Sequence, residues 1–233
     1  MVVWAVEGAF RVYREHWRYV LAVDVAVHVP VVALWVALWS AGARSMLAEL
    51  LVVVAGCLMQ AWLALPVREL HDDRPLPSLL AALCAVRGRI GALVGVVLVY
   101  AAAILAGVLA FYVPAFVIAT VFAFVVPAVV LDRRKAEGAF GRSLELVRGR
   151  LRQVLGLVAF NWLVGLAVFA LLLLATRNLE NGLQWSVAVL GAQVLVAPLQ
   201  AVSYLLAFLR LREEKDARPA AVPGEGATIE RPA

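Results

Sequence analysis

Charge and reactive side chains are what this sequence has least of. Asp, Glu, Lys and Arg make up 16% of its 233 residues, well below the roughly 25% of an ordinary soluble domain, and they gather in a few blocks separated by long uncharged runs. That layout excludes a water-soluble globule. It fits a chain solvated mainly by lipid. Only three histidines and two cysteines are present. No CxxC occurs, and no histidine lies within metal-ligand spacing of Cys57, in an apolar run, or of Cys84, in a loop segment. Both cysteines read as small packing residues. GxSxG, HExxH, the phosphate-binding P-loop and GxGxxG are all missing, and nothing in the sequence sets a base beside Ser143 or Ser186. The reading is of a protein with no catalytic residue, no metal site and no cofactor. A short apolar stretch followed by a small-residue cleavage site is also lacking at the start, so the N-terminal segment does not read as a removable leader.

What the chain has in abundance is apolar length. Hydrophobic residues make up 64% of it and the mean hydropathy is +0.92. A membrane helix needs about 20 mostly apolar residues, and that length predicts six spans, near 20–39, 45–65, 90–112, 114–131, 153–175 and 183–209. The turn between the third and fourth lies in an uncharged stretch and is placed at Tyr112 and Pro114. Orientation follows from the basic residues. With six spans, 19 of the 21 lysines and arginines fall on one side, leaving Arg44 and Arg177 on the other. Both termini are therefore expected in the cytoplasm, in a multi-pass protein of the cell membrane. The net charge of +5 then answers to anionic headgroups rather than to nucleic acid.

Each pair of spans is preceded by a segment that is neither span nor plain loop. In Ala136–Arg152, Ala136, Phe140, Leu144, Val147 and Leu151 recur at helical spacing, while Arg142, Glu145, Arg148 and Arg152 lie elsewhere around the helix. This is the pattern of an amphipathic interfacial helix. Val147-Arg148-Gly149-Arg150-Leu151 echoes Val86-Arg87-Gly88-Arg89-Ile90, and Gly8-Ala9-Phe10-Arg11 echoes Gly138-Ala139-Phe140 with Arg142 close behind. The second span of each pair carries a proline, at Pro66, Pro127 or Pro198. The chain thus reads as an all-α, polytopic bundle of three repeats, each an interfacial amphipathic helix plus a transmembrane hairpin. The six-helix domain covers 1–212, with repeats of about 1–65, 66–131 and 132–209. Residues 213–233, rich in Pro, Gly, Ala and charge, are expected to be a disordered cytoplasmic tail.

Pro127, Asp132, Ala139, the Arg142-Ser143 pair and the run Leu146 to Arg150 together resemble the signature region of the membrane domain attached to some glycerophosphoryl diester phosphodiesterases. Related stand-alone bacterial membrane proteins of the YciC type share it. The end of the last span from Pro198, with Arg210, Arg212 and the acidic run behind them, looks like the closing motif of that family, although Leu205 to Phe208 departs from it. The resemblance implies a fold and a membrane location. It does not imply hydrolysis, because the phosphodiesterase chemistry of the fused proteins belongs to a separate soluble domain.

Polar residues inside spans are functional candidates. Asp24 and His28 share a helix face, and Gln60, Asn161, Gln200, Ser203 and Tyr204 fall at similar depth, which predicts a polar belt in the cytoplasmic half. Such a belt either fixes helix packing or lines a cavity for a headgroup or small polar ligand. Arg87, Arg89, Arg142, Arg148, Arg150 and Arg152 are the candidates for lipid-headgroup contact. The expected role is non-enzymatic, organising lipid or partner proteins at the cytoplasmic leaflet. The partners would be membrane lipids with anionic headgroups, and a protein partner in a membrane complex or a homo-oligomer. The alternatives are a small transporter or permease for a lipid or small polar solute, and an accessory subunit of a larger membrane complex.

Overall fold

The computed structural model describes residues 1–40, 46–109 and 113–217. Arg44, the turn expected at Tyr112 and the tail from residue 218 lie outside the described residues. Within them the chain is helical: α1 Val2–Ser40, α2 Met46–His71, α3 Leu79–Arg87, α4 Ile90–Leu109, α5 Val113–Val121, α6 Val125–Val130, α7 Ala136–Val147, α8 Leu151–Ala175 and α9 Asn181–Asp216.

Among the described residues five helical stretches are long and apolar enough to cross a bilayer: Val2–Ala37, Val53–His71, Val113–Val130, Leu151–Ala175 and Gly182–Asp216. α3 with α4 qualifies as a pair bent by 77°. The bends fall where the sequence places the joints between interfacial segment and span. In α1 the helix breaks at His16 (φ −123°, ψ 29°). α3 ends at Arg87 and α4 begins at Ile90. α7 and α8 are separated by Arg148, Gly149 and Arg150, with Gly149 at φ +85°, a left-handed conformation that glycine adopts without steric cost.

The span expected at 114–131 is present as Val113–Val130, with a short interruption at Phe122–Phe124 that divides it into α5 and α6. Pro127 has no N–H to continue the helical ladder there. The tail expected to be disordered from 213 is helical through Asp216, because its charged residues are ion-paired to the rest of the bundle.

α9 is the central post. Of its membrane window 72% is buried, against 17% for α8. α1, α2 and α8 pack around it, and α2 also meets α6 and α4. Phe124, Phe208, Met59, Leu63, Leu157 and Leu205 form the most enclosed part of the core. Small residues set the closest approaches. A Cβ on Gly107 would lie 2.5 Å from the Ala115 backbone nitrogen, so α4 and α5 touch backbone to backbone. Ala5 and Ala9 are wholly buried and flank Gly8, against which Leu206 of α9 packs.

Candidate functional site

The polar belt is two clusters. On α8 and α9, Asn161 donates to the Ser203 hydroxyl at 3.1 Å, and Gln200 donates to the Asn161 carbonyl at 3.0 Å. Ser203 donates in turn to the Gln200 carbonyl at 2.9 Å. Tyr204 lies beside Asn161, and Tyr100 of α4 is within electrostatic reach of both Tyr204 and Cys57 of α2. Asn161 and Ser203 are fully buried, and each finds its partners inside the bundle. This cluster is a bracket between helices, since in lipid an unpaired polar group carries a cost of several kcal/mol. Gln200 also lies beside Gly165 of α8, where an added Cβ would make an ordinary contact with it at 3.6 Å.

Asp24 and His28 form the second cluster, on α1 alone. His28 Nδ1 lies 2.8 Å from Asp24 Oδ1 and 3.1 Å from the Asp24 carbonyl. Both side chains are buried. His28 Nε2 has no partner among the described residues, and neither has the Trp35 indole N–H two turns on. Gln60 makes no side-chain hydrogen bond among the described residues and joins neither cluster. No group of three or more His, Cys, Asp or Glu among the described residues is arranged to hold a metal ion.

Most of the charge collects at one end of the bundle, in a network that the end of α9 organises. Arg142 of α7 reaches Asp132 at 3.1 Å, Glu145 at 3.2 Å and Asp216 at 3.2 Å. Arg212 reaches the same Asp132 at 3.3 Å and Asp216 at 3.7 Å. Lys215 binds Glu145 at 2.6 Å, and Glu214 is held by Arg150 at 2.8 Å and Arg210 at 3.2 Å. On the other flank His71 of α2 donates to Glu213 at 2.8 Å, its ring edge-on to Trp4 of α1, while Arg210 stacks over Trp4 at 4.9 Å. The last two turns of α9, Arg210 to Asp216, thus tie down the first, second and third repeats of the chain's expected division. Burial opposes the charge on Arg142, but the hydrogen bonds it donates to Glu145, Asp216 and Asp132 outweigh it and raise its pKa above the ordinary value. The Lys215 ammonium holds the Glu145 carboxyl below its ordinary range, against a smaller opposing effect of burial.

The six candidate headgroup arginines therefore divide. Arg142 and Arg150 are engaged by carboxylates of the chain itself, and Arg89 donates to the Arg133 carbonyl at 3.3 Å. Arg87, Arg148 and Arg152 are exposed and make no ion pair or side-chain hydrogen bond among the described residues.

The residue that composition and spacing did not single out as functional is Ser143, fully buried. Its hydroxyl donates to the Val121 carbonyl at 2.8 Å and accepts from the Phe124 N–H at 3.2 Å. These are the backbone groups left over where α5 stops and α6 starts, since Val125 bonds Phe122 and Ala123 bonds Thr120 across the break. The only advance signal was its place beside Arg142 in the stretch that carries the family resemblance.

A family model, the membrane domain of glycerophosphoryl diester phosphodiesterase, matches residues 95–211. That segment contains the broken span, Ser143, Arg142 and most of α9. No curated protein and no solved structure matches the chain.

Proposed function

The chain belongs to the glycerophosphoryl diester phosphodiesterase membrane-domain family, and on that footing we propose that it is a non-enzymatic membrane scaffold that gathers anionic lipid at its charged face. In this reading α3 and α4 supply the sixth span, both termini and the charged end of α9 lie in the cytoplasm, and the three bent joints mark three repeats of interfacial helix and hairpin. The observation that carries it is the set of exposed, unpaired arginines at the bends, Arg87 and Arg148, with Arg152 one turn further on. Each stands where an interfacial helix turns into a span, the depth of phosphate groups.

The test is native mass spectrometry of the gently extracted protein re-lipidated with equal phosphatidylglycerol and phosphatidylcholine. Preferential retention of phosphatidylglycerol is the expected result. Equal retention overturns the proposal. Orientation is read separately from the two cysteines. Cys84 is exposed on α3 and Cys57 is buried, so a membrane-impermeant maleimide should label Cys84 only from the cytoplasmic side.

A second reading, passage of a small polar solute or proton, is favoured by the buried Asp24–His28 pair with its unpartnered ring nitrogen. Flux in proteoliposomes that disappears in the Asp24→Asn variant would support it over the scaffold.

A further inference from the structure

One groove on the molecule combines an apolar bed with an unpaired charge. α2 and the bent pair α3/α4 enclose a cavity of about 490 Å³, within the usual range for ligand sites. Leu58 and Trp62 of α2 form one wall. Val86, Leu93 and Val97 form the floor, each nearly inaccessible to solvent, so this is a recess and not the flat flank of a helix. Of the described residues lining it, Arg87 alone is charged, and it stands at the 77° bend. From Ile90 to Leu98 the groove follows α4 over eight residue steps, about 12 Å at 1.5 Å per residue.

We infer that this groove seats one acyl chain of an anionic phospholipid whose phosphate is held by Arg87. The inference rests on the lipid-gathering reading above and assigns it a place. The chemistry of the two ends selects the occupant. Apart from the Trp62 indole N–H the lining away from the bend is aliphatic and suits an acyl chain, while Arg87 at the mouth is a guanidinium able to take a phosphate through two parallel N–H bonds. The equivalent bend between α7 and α8 shows what a different lining does. Its cavity, about 350 Å³, is bordered by Arg148, Arg150 and Lys215 together with Glu145 and Glu214, so it is a lining of paired charges with only Leu146 and Leu211 to offer an acyl chain. The sequence motif is shared by the two bends, but the apolar recess belongs to the first.

Trp62 makes the site measurable. In vesicles of phosphatidylcholine, dibrominated phosphatidylglycerol and dibrominated phosphatidylcholine are titrated in parallel, and the Trp62 share of the fluorescence is isolated by difference from Trp62→Phe. The Trp62 share should be quenched at lower mole fraction by the brominated phosphatidylglycerol. Arg87→Gln should reduce that preference about fivefold, the worth of one basic residue at an anionic surface, while Arg148→Gln leaves it unchanged. Val94→Phe, which fills the groove without altering charge, should abolish Trp62 quenching by the preferred lipid. Equal quenching by both lipids, or a preference that survives Arg87→Gln, overturns the site. If native mass spectrometry still finds phosphatidylglycerol retained in that case, the lipid-gathering reading stands without it, whereas loss of preference in both measurements overturns both.

Discussion

The Ser143 hydroxyl accepts a hydrogen bond from the Phe124 N–H, 3.2 Å away and nineteen residues back in the chain. The same oxygen donates to the Val121 carbonyl, so a single side chain on α7 completes the backbone of a span that is interrupted between α5 and α6. Interruptions in membrane helices persist where neighbouring side chains satisfy the freed groups. Here that neighbour is one serine.

Ser143→Ala leaves both groups buried and unpaired. The expected loss is about 1–3 kcal/mol for each group stranded, read as a lower melting temperature in detergent. Ser143→Thr keeps the hydroxyl and should recover part of the loss, while Ser186→Ala, which removes only a bond to the carbonyl one turn back, should cost far less.

Arg142 and Asp132 are both largely enclosed, with 11% and 9% of their side chains exposed. Removing Arg142 leaves Asp132 with Arg212 alone, and removing Asp132 leaves Arg142 with Glu145 and Asp216, so each loses its most enclosed partner. Arg142→Gln and Asp132→Asn should each cost about 1.5–3 kcal/mol, the range for hydrogen bonds to charged groups. The double variant should cost less than the two added together. Additivity within error in a double-mutant cycle would show that the pair does not couple.

The contact between α4 and α5 admits no side chain at Gly107. Gly107→Ala would place its Cβ against the backbone of Ala115, and the expected cost of such overpacking is about 1–3 kcal/mol. Gly88→Ala, where nothing lies within 4 Å of the added carbon, should be nearly silent. Thermal melts of the two variants side by side distinguish local packing from a general dislike of alanine at helix ends.

Glu145 has a depressed pKa, held down by Lys215 and Arg142. A carboxylate of this kind contributes stability that is present above its unfolded value of about 4.3. The contribution fades as the pH falls through the lower folded value. The bundle should therefore hold its stability from neutral pH down to about 4.5 as far as this group is concerned, then weaken. Glu145→Gln should flatten that acid limb, as followed by melting temperature against pH.

Much of the architecture was legible in the residues because the bilayer imposes one ruler on apolar length. Runs such as Leu151–Ala175 could hardly be anything other than spans, and the Val-Arg-Gly-Arg strings marked two of the bends. The break at Phe122–Phe124 was not legible. Its residues are as apolar as their neighbours, its proline lies three positions beyond, and the serine that makes it tolerable comes from another helix. The charged network was hidden for a similar reason. Arg142 reads as a headgroup contact when seen beside its sequence neighbours, and only the fold brings Asp132 and Asp216 to it from ten residues before and seventy-four after. Of the polar belt, the four-residue spacing was enough to put Asp24 and His28 on one helix face, but helical depth alone could not tell that Asn161, Gln200 and Ser203 bond one another while the Asp24–His28 pair keeps to α1.

The end of α9 is the last described part of the molecule to leave the ribosome, and it holds the clasps for everything before it: Trp4 and His71 on one flank, Asp132, Arg142 and Arg150 on the other. Earlier helices can enter the bilayer one after another, and pairs within them such as Arg142 with Asp132 need nothing from α9, but His71 and Arg150 meet their acidic partners only once Glu213 and Glu214 emerge. A chain cut short before Arg210 would therefore carry inserted helices whose charged ends are only partly clasped.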